Sequence, residues 1–216
     1  MTYGEIYDEI MLKAFTTTPP ENMPAYIRRK IRACQRMINR DYNFWFTLIT
    51  TTITTIPNQR VYALPERFKE IEKTYFQINL QNYMGPVLTQ IGLVQDMDYN
   101  LLTDNTAVEY PNTMKIDGSN IHLYPLPNAV RILYLTYWKF LLPVEIDDIA
   151  VFRAYSDDFS VYCCEAIIFH IMADIKLDQN EWQASQMYKQ EYQIAIEGAR
   201  FEDTVRRSIP ENEVIR

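Results

Sequence analysis

The hydrophobic pattern of this chain changes period twice, and that change limits the fold more than any other feature. Up to about Arg40, apolar residues recur every three to four positions, as on one face of a helix. From Phe46 to Trp138 the pattern is extended, with short β-branched and aromatic runs punctuated by Pro, Asn and Gly. After Pro143 helical spacing returns. A chain of 216 residues with this order suits one domain carrying a large insertion.

The first helix is predicted over residues 2–15. Thr2 and Glu5 stand at capping-box spacing, and Ile6, Ile10 and Ala14 share a face. Thr16-Thr17-Thr18-Pro19-Pro20 ends it, because Pro cannot continue a helix. The second helix runs from about Pro24 to Arg40. Ile27, Ile31, Cys34 and Ile38 form its apolar stripe, while Arg28, Arg29, Arg32, Arg36 and Arg40 occupy the opposite arc.

The Thr-rich stretch from Phe46 to Ile56 is predicted to be a strand. It turns at Pro57-Asn58-Gln59 and pairs with the return strand Arg60–Leu64 as a hairpin. Further strands are predicted at Ile71–Ile78, Val87–Ile91, Thr113–Ile116, Ile121–Tyr124 and Val130–Trp138, with a hairpin turn at Asp117-Gly118-Ser119-Asn120. Val94–Leu102 is ambiguous and fits a short helix.

Ser156-Asp157-Asp158 caps a helix running to Lys176, apolar on nearly every side and therefore central. Asp178-Gln179-Asn180 makes a tight connection. A last helix follows from Glu181 to about Arg200, with Ala184, Tyr188, Tyr192, Ala195 and Ala199 on one face. The expected class is α+β, an antiparallel four-helix bundle of two N-terminal and two C-terminal helices with a small antiparallel sandwich or barrel inserted. The boundaries are 1–44 and 141–203 for the bundle, 45–140 for the β-rich insertion and 204–216 for an extended C-terminal tail.

Chemistry-bearing motifs are sparse. His122 and His170 fall on different elements, and no Cys stands at ligand spacing from either. P-loop, G-x-G-x-x-G and G-x-S-x-G motifs are absent, and with only 5 Gly there is little backbone suited to cradling phosphate. Asp157-Asp158 reads as helix capping before metal binding. Cys34, Cys163 and Cys164 read as reduced packing residues of a cytosolic compartment. His170 reads as a core histidine. The apolar run Phe159–Ile175 is broken by Glu165, His170 and Asp174, which argues against a membrane span. No cofactor, no metal and no catalytic residue is expected.

Charge is distributed unevenly. The second helix carries six Lys/Arg and no acid, whereas the rest of the chain holds 15 basic against 28 acidic residues. The arginine arc has three readings: a solvated face, an ion-pair surface for an acidic partner (another copy included), or a contact with DNA phosphates. The net charge of −7 favours the partner surface over DNA. The 16 Tyr suit either a core or interfaces.

One resemblance unites these features. A helix pair ends in Ile38-Asn39-Arg40 and Trp45, and a Thr-rich strand leads to Gln59-Arg60-Val61-Tyr62-Ala63-Leu64-Pro65-Glu66-Arg67-Phe68. Ile121-His122-Leu123-Tyr124-Pro125-Leu126-Pro127 then precedes a strand with Tyr134, Tyr137 and Trp138, and two helices follow. From about Tyr3 to Glu202 this order resembles the head–tail adaptor proteins of short-tailed phages, also called connector, ring or tail tubular proteins.

The resemblance implies a structural virion protein at the head–tail interface, assembled in the host cytoplasm. It implies a homo-oligomeric ring, usually of twelve copies, beneath the portal protein. The ring contacts a downstream tail or neck protein and extends a channel through which genomic DNA passes without sequence-specific binding. It also implies a portal-binding C-terminal tail with Arg206, Arg207, Ile209, Val214 and Ile215 as contacts. The remaining alternatives are another neck ring or tail-tube subunit, a soluble metal-dependent enzyme, and a DNA-binding accessory.

Overall fold

A computed structural model describes residues 1–15, 20–78, 87–90, 92–93, 107–143 and 145–208. The ambiguous stretch 94–102 and the run Thr16–Pro19 lie outside them, as do Ile209, Val214 and Ile215. The chain divides into two compact units, one of residues 1–46 and 141–216 and one of residues 47–140.

The first unit is helical. Helix α1 (Tyr3–Ala14) starts at Thr2, whose hydroxyl accepts the Glu5 N–H while Glu5 accepts the Thr2 N–H at 2.7 Å, a closed capping box. Helix α2 (Met23–Asp41) carries Pro in its first turn, where a missing N–H costs nothing. Three further helices follow the insertion: α3 (Ile149–Ala154), α4 (Asp158–Tyr162) and α5 (Cys164–Asp178). The last, α6 (Trp182–Ser208), follows a connection in which Asn180 adopts a φ of 61°.

This arrangement overturns the four-helix bundle. Six helices are present among the described residues, and α1, α2 and α6 all pack against α5. The physical reason is the composition of α5. Ala166, Ile167, Ile168, Ile171, Met172, Ala173 and Ile175 are all buried and leave it almost no solvent face, so it takes neighbours on several sides. The single helix predicted from Asp158 to Lys176 is also interrupted. Cys163, at φ −120° and ψ 18°, ends α4 and begins α5. At the other end, α6 continues to Ser208, so residues 204–208 are helical rather than extended.

The second unit is β-rich, so the class α+β with a β-rich insertion stands. Its strands are β1 (Leu48–Thr54), β2 (Val61–Ala63), β3 (Phe68–Ile78), β4 (Val87–Gln90) and β5 (Gly92–Leu93), then β6 (Ala107–Val108), β7 (Thr113–Asp117), β8 (Asn120–Tyr124), β9 (Leu126–Pro127) and β10 (Ile132–Lys139). They form sheets of order β1-β10-β3-β4 and β2-β8-β7-β5, with β6 beside β9. Most pairings are antiparallel, while β5–β7 and β6–β9 are parallel. Phe76, Leu133, Leu135 and Tyr137 from one sheet share a core with Tyr62, Met114, Ile121 and Leu123 from the other.

The predicted β1–β2 hairpin does not form. β1 pairs along its length with β10, Leu48 opposite Trp138 and Thr54 opposite Ile132, while β2 pairs with β8. The chain changes sheet in the intervening turn. There Asn58 takes a φ of 62°, and the Tyr62 hydroxyl donates to Gln59 O at 2.9 Å and accepts from Ile56 N–H at 3.0 Å. The predicted turn at Asp117–Asn120 is present: Asp117 faces Asn120, and Gly118 holds a φ of 58° that a Cβ would strain.

Candidate interaction surfaces

The arginine arc of α2 separates into two groups with different roles. Ile27, Ile31, Cys34 and Ile38 bury one side of the helix. Next to that side, Arg28 donates to the Asp147 carbonyl at 2.5 Å, and Arg32 donates to the Ile146 carbonyl at 3.0 Å and to the Asp147 carboxylate at 3.3 Å. These two arginines hold residues 146–147 against α2 within the helical unit. Lys30 is likewise engaged, paired with Asp174 of α5 at 2.5 Å.

Arg29, Arg36 and Arg40 remain on the exposed side, with Ala33 between them on the same stripe. The Arg29 guanidinium lies 5.7 Å from the Tyr26 ring, and Arg40 forks onto neighbouring Asp41.

The predicted tail residues divide as well. Arg206 lies on the last turns of α6, its guanidinium 5.4 Å from the Trp45 ring and 5.0 Å from the Tyr162 ring. Asp203, three residues earlier and only 5% exposed, accepts the Trp45 N–H. Arg200 stacks over Tyr42 at 5.6 Å. The end of α6 is thus clamped to residues 42–46 by two cation–π contacts and a buried carboxylate. Arg207 belongs to the same helical turn.

A surface that periodicity alone did not single out lies along α6. The face with Tyr192 and Ile196 is buried, yet Met187, Ile194 and Phe201 recur every seven residues on an exposed side, Phe201 at 71% exposure. Beside them a groove of about 640 Å³ runs between α5 and α6. Phe169, Ala195 and Ala199 line it, together with the exposed carboxylates Glu165, Glu191 and Glu202, and none of its lining residues is cationic. Gly198 also lines it. A Cβ there would meet nothing within 4 Å, so packing within the chain does not require this glycine. In a helix interior it costs about 1 kcal/mol relative to Ala.

The residues considered for chemistry are accounted for by packing. Asp157 caps α4, accepting the Ser160 N–H and the Tyr3 hydroxyl. Asp148 caps α3 through the Ala150 and Val151 N–H groups. His170 is half-buried against the Tyr192 ring at 5.5 Å. Burial lowers its pKa, Asp174 opposes that shift and Lys30 reinforces it. His122 faces Val61 and Lys115 in the β-rich unit. Burial pushes the Cys163 thiol up to about 12 and raises Cys34 further, so both are protonated at neutral pH and unlike activated nucleophiles. Among the described residues no three His, Cys, Asp or Glu side chains are grouped to hold a metal ion, and no helix is long and apolar enough to cross a membrane.

What the geometry offers is therefore surfaces: an arginine stripe, an acid-rimmed apolar groove and a clamped helix end. The family model of the SU10 adaptor proteins matches residues 1–213. The chain belongs to this family of phage head–tail adaptors. No curated protein sequence matches it. Membership of the SU10 adaptor family bears out the resemblance read from the helix and strand order, and makes the chain a structural component of a bacteriophage virion. An adaptor of this family works by contact with other head and tail proteins, which is the chemistry such surfaces serve.

Proposed function

We propose that this adaptor assembles as a closed ring of subunits, twelve as the resemblance to head–tail adaptors implies, beneath the portal protein, joins the phage head to its tail and extends the DNA channel. The observation that carries this reading is the family match over residues 1–213. The helical unit is the body that meets neighbouring copies, and the β-rich insertion is the module left for a downstream tail or neck protein. Its role is structural rather than catalytic.

Charge supports the channel. With a net charge of −7, the chain repels phosphate overall, so DNA passing a wall of such subunits is not held by it. The arginines exposed on α2 are too few to reverse that balance and suit pairing with carboxylates. The segment after Ser208, with Ile209, Val214 and Ile215, together with Arg206 and Arg207, is the portal contact in this reading. Isolated apolar residues among charges suit a contact that is partly apolar and partly ionic.

Mixing the purified chain with its phage's portal protein and weighing the complexes by native mass spectrometry tests the assignment. A portal complex carrying a ring of this chain is expected. A chain that fails to bind portal and is missing from the neck of the assembled particle would refute it.

A further inference from the structure

We infer that the acid-rimmed groove between α5 and α6 is the receptor for the exposed arginine stripe of α2 from a second copy of this chain. This inference rests on the ring proposed above and names the two patches that close it.

The argument starts from charge. Arg29, Arg36 and Arg40 present cations along one exposed stripe, and the groove presents Glu165, Glu191 and Glu202 with no cation among its lining residues. Arg29 and Arg40 are eleven positions apart on α2, and Glu191 and Glu202 are eleven positions apart on α6. Eleven helical residues span about 16 Å, so both outer pairs can meet at once.

The small residues set the direction. Ala33 lies four positions after Arg29 and seven before Arg40, while Gly198 lies four positions before Glu202 and seven after Glu191. Running the helices antiparallel places Arg29 opposite Glu202, Ala33 opposite Gly198 and Arg40 opposite Glu191. Arg36 then faces Ala195, with Glu165 of α5 across the groove. The crossing point falls where both helices carry the least side chain, which allows the closest approach. It also accounts for a glycine that has nothing to avoid within its own chain.

The apolar part of the groove is served by the same docking. Phe201 and Ile194 stand exposed beside the acids. Arginine stems cover apolar surface while their heads reach carboxylates, and a guanidinium stacks on an aromatic face. Arg29 in this register reaches both Glu202 and Phe201. Arg40 keeps Asp41 as a local partner and gains Glu191 as a second.

The interface is heterologous: each copy gives its arginine stripe to one neighbour and its groove to the other, as a closed ring requires. Charge reversal tests it. R29E/R36E/R40E makes both patches acidic, and E165R/E191R/E202R makes both basic. Each variant, checked for fold by circular dichroism, is expected to lose the self-association of the wild-type full chain in sedimentation velocity and native mass spectrometry. Mixing the two is expected to restore it, with the copies alternating in even-numbered assemblies. If either variant alone associates like wild type, or the mixture stays monomeric, this interface is overturned while portal binding by wild type still upholds the adaptor assignment. A wild-type chain that remains monomeric at its highest soluble concentration also overturns the interface.

Discussion

The Tyr3 hydroxyl donates to Asp157 Oδ1 at 2.6 Å, joining the first turn of α1 to the cap of α4 across 154 sequence positions. The Gln35 amide of α2 donates to both the Tyr3 oxygen and Asp157 Oδ2, so one carboxylate ties three helices together. Tyr3 is fully buried, and burial and the nearby carboxylate both push its pKa up, leaving it a neutral donor. Tyr3→Phe keeps the ring and deletes the donor. It is expected to cost about 1–3 kcal/mol in urea denaturation, with Asp157→Ala costing more because it also removes the helix cap. Wild-type stability in Tyr3→Phe would show that the bond contributes nothing net.

Gly4 marks a close backbone approach between α1 and α3. A Cβ there would stand 2.6 Å from the Arg153 carbonyl oxygen, a backbone atom that cannot swing aside. Alanine normally gains about 1 kcal/mol over glycine inside a helix. Gly4→Ala is nevertheless expected to destabilise by about 1–3 kcal/mol, because α1 must shift off α3. Thermal unfolding of the variant decides which effect wins.

His170 gives stability a pH dependence. Burial lowers its folded-state pKa from the ordinary value of 6.5, so below 6.5 the unfolded chain binds the proton that the folded chain refuses. This contribution to stability is present above 6.5 and is lost as pH falls toward the lowered folded value. Denaturation midpoints measured down through this range are expected to fall, and His170→Gln should flatten that part of the curve. An identical slope in the variant would assign the dependence to other groups.

The clamp on the end of α6 separates folding from docking. Asp203→Ala leaves the Trp45 N–H without its buried acceptor and is expected to cost about 1.5–3 kcal/mol, whereas Arg206→Ala, removing partly exposed cation–π contacts, costs about 0.5–1 kcal/mol. Deleting residues 209–216 leaves the clamp in place. The shortened chain is expected to melt like the full one while losing portal binding. Unchanged binding would remove the proposed role of that segment.

Local structure was largely legible in the sequence, and partnership was not. The Thr2–Glu5 box, the Asp157 cap and the Gly118 turn depend on residues three or fewer apart, and each is present. The central place of α5 followed from its lack of a polar face. The β1–β2 hairpin failed because alternation specifies which face of a strand is buried and not which strand it pairs with. β1 found β10, 78 to 90 positions away, in place of its neighbour. The bundle failed for a related reason. Four helical stripes suggest four equal helices, whereas one helix apolar all round collects the rest about itself.

The candidate surfaces show the same division. That arginines faced away from the apolar stripe of α2 was visible in the spacing. That Arg28 and Arg32 were committed to carbonyls of residues 146 and 147 was not, since backbone acceptors carry no side-chain signature. The seven-residue recurrence of Met187, Ile194 and Phe201 was available in the sequence. It was overshadowed by the buried face of Tyr192, and only exposure distinguishes the two.

The division of the chain into residues 1–46 with 141–216, and 47–140, sets an order of events during synthesis. The β-rich unit is one continuous stretch and can complete its sheets as it leaves the ribosome. Helices α1 and α2 emerge first but must wait for α5, whose apolar surface they cover. At roughly 5–20 residues per second, that wait lasts on the order of ten seconds. The groove on α6 emerges later than either α1 or α2. The arginine stripe of α2 is therefore synthesised well before the acidic groove, and a chain still in synthesis carries only one of the two patches proposed to meet.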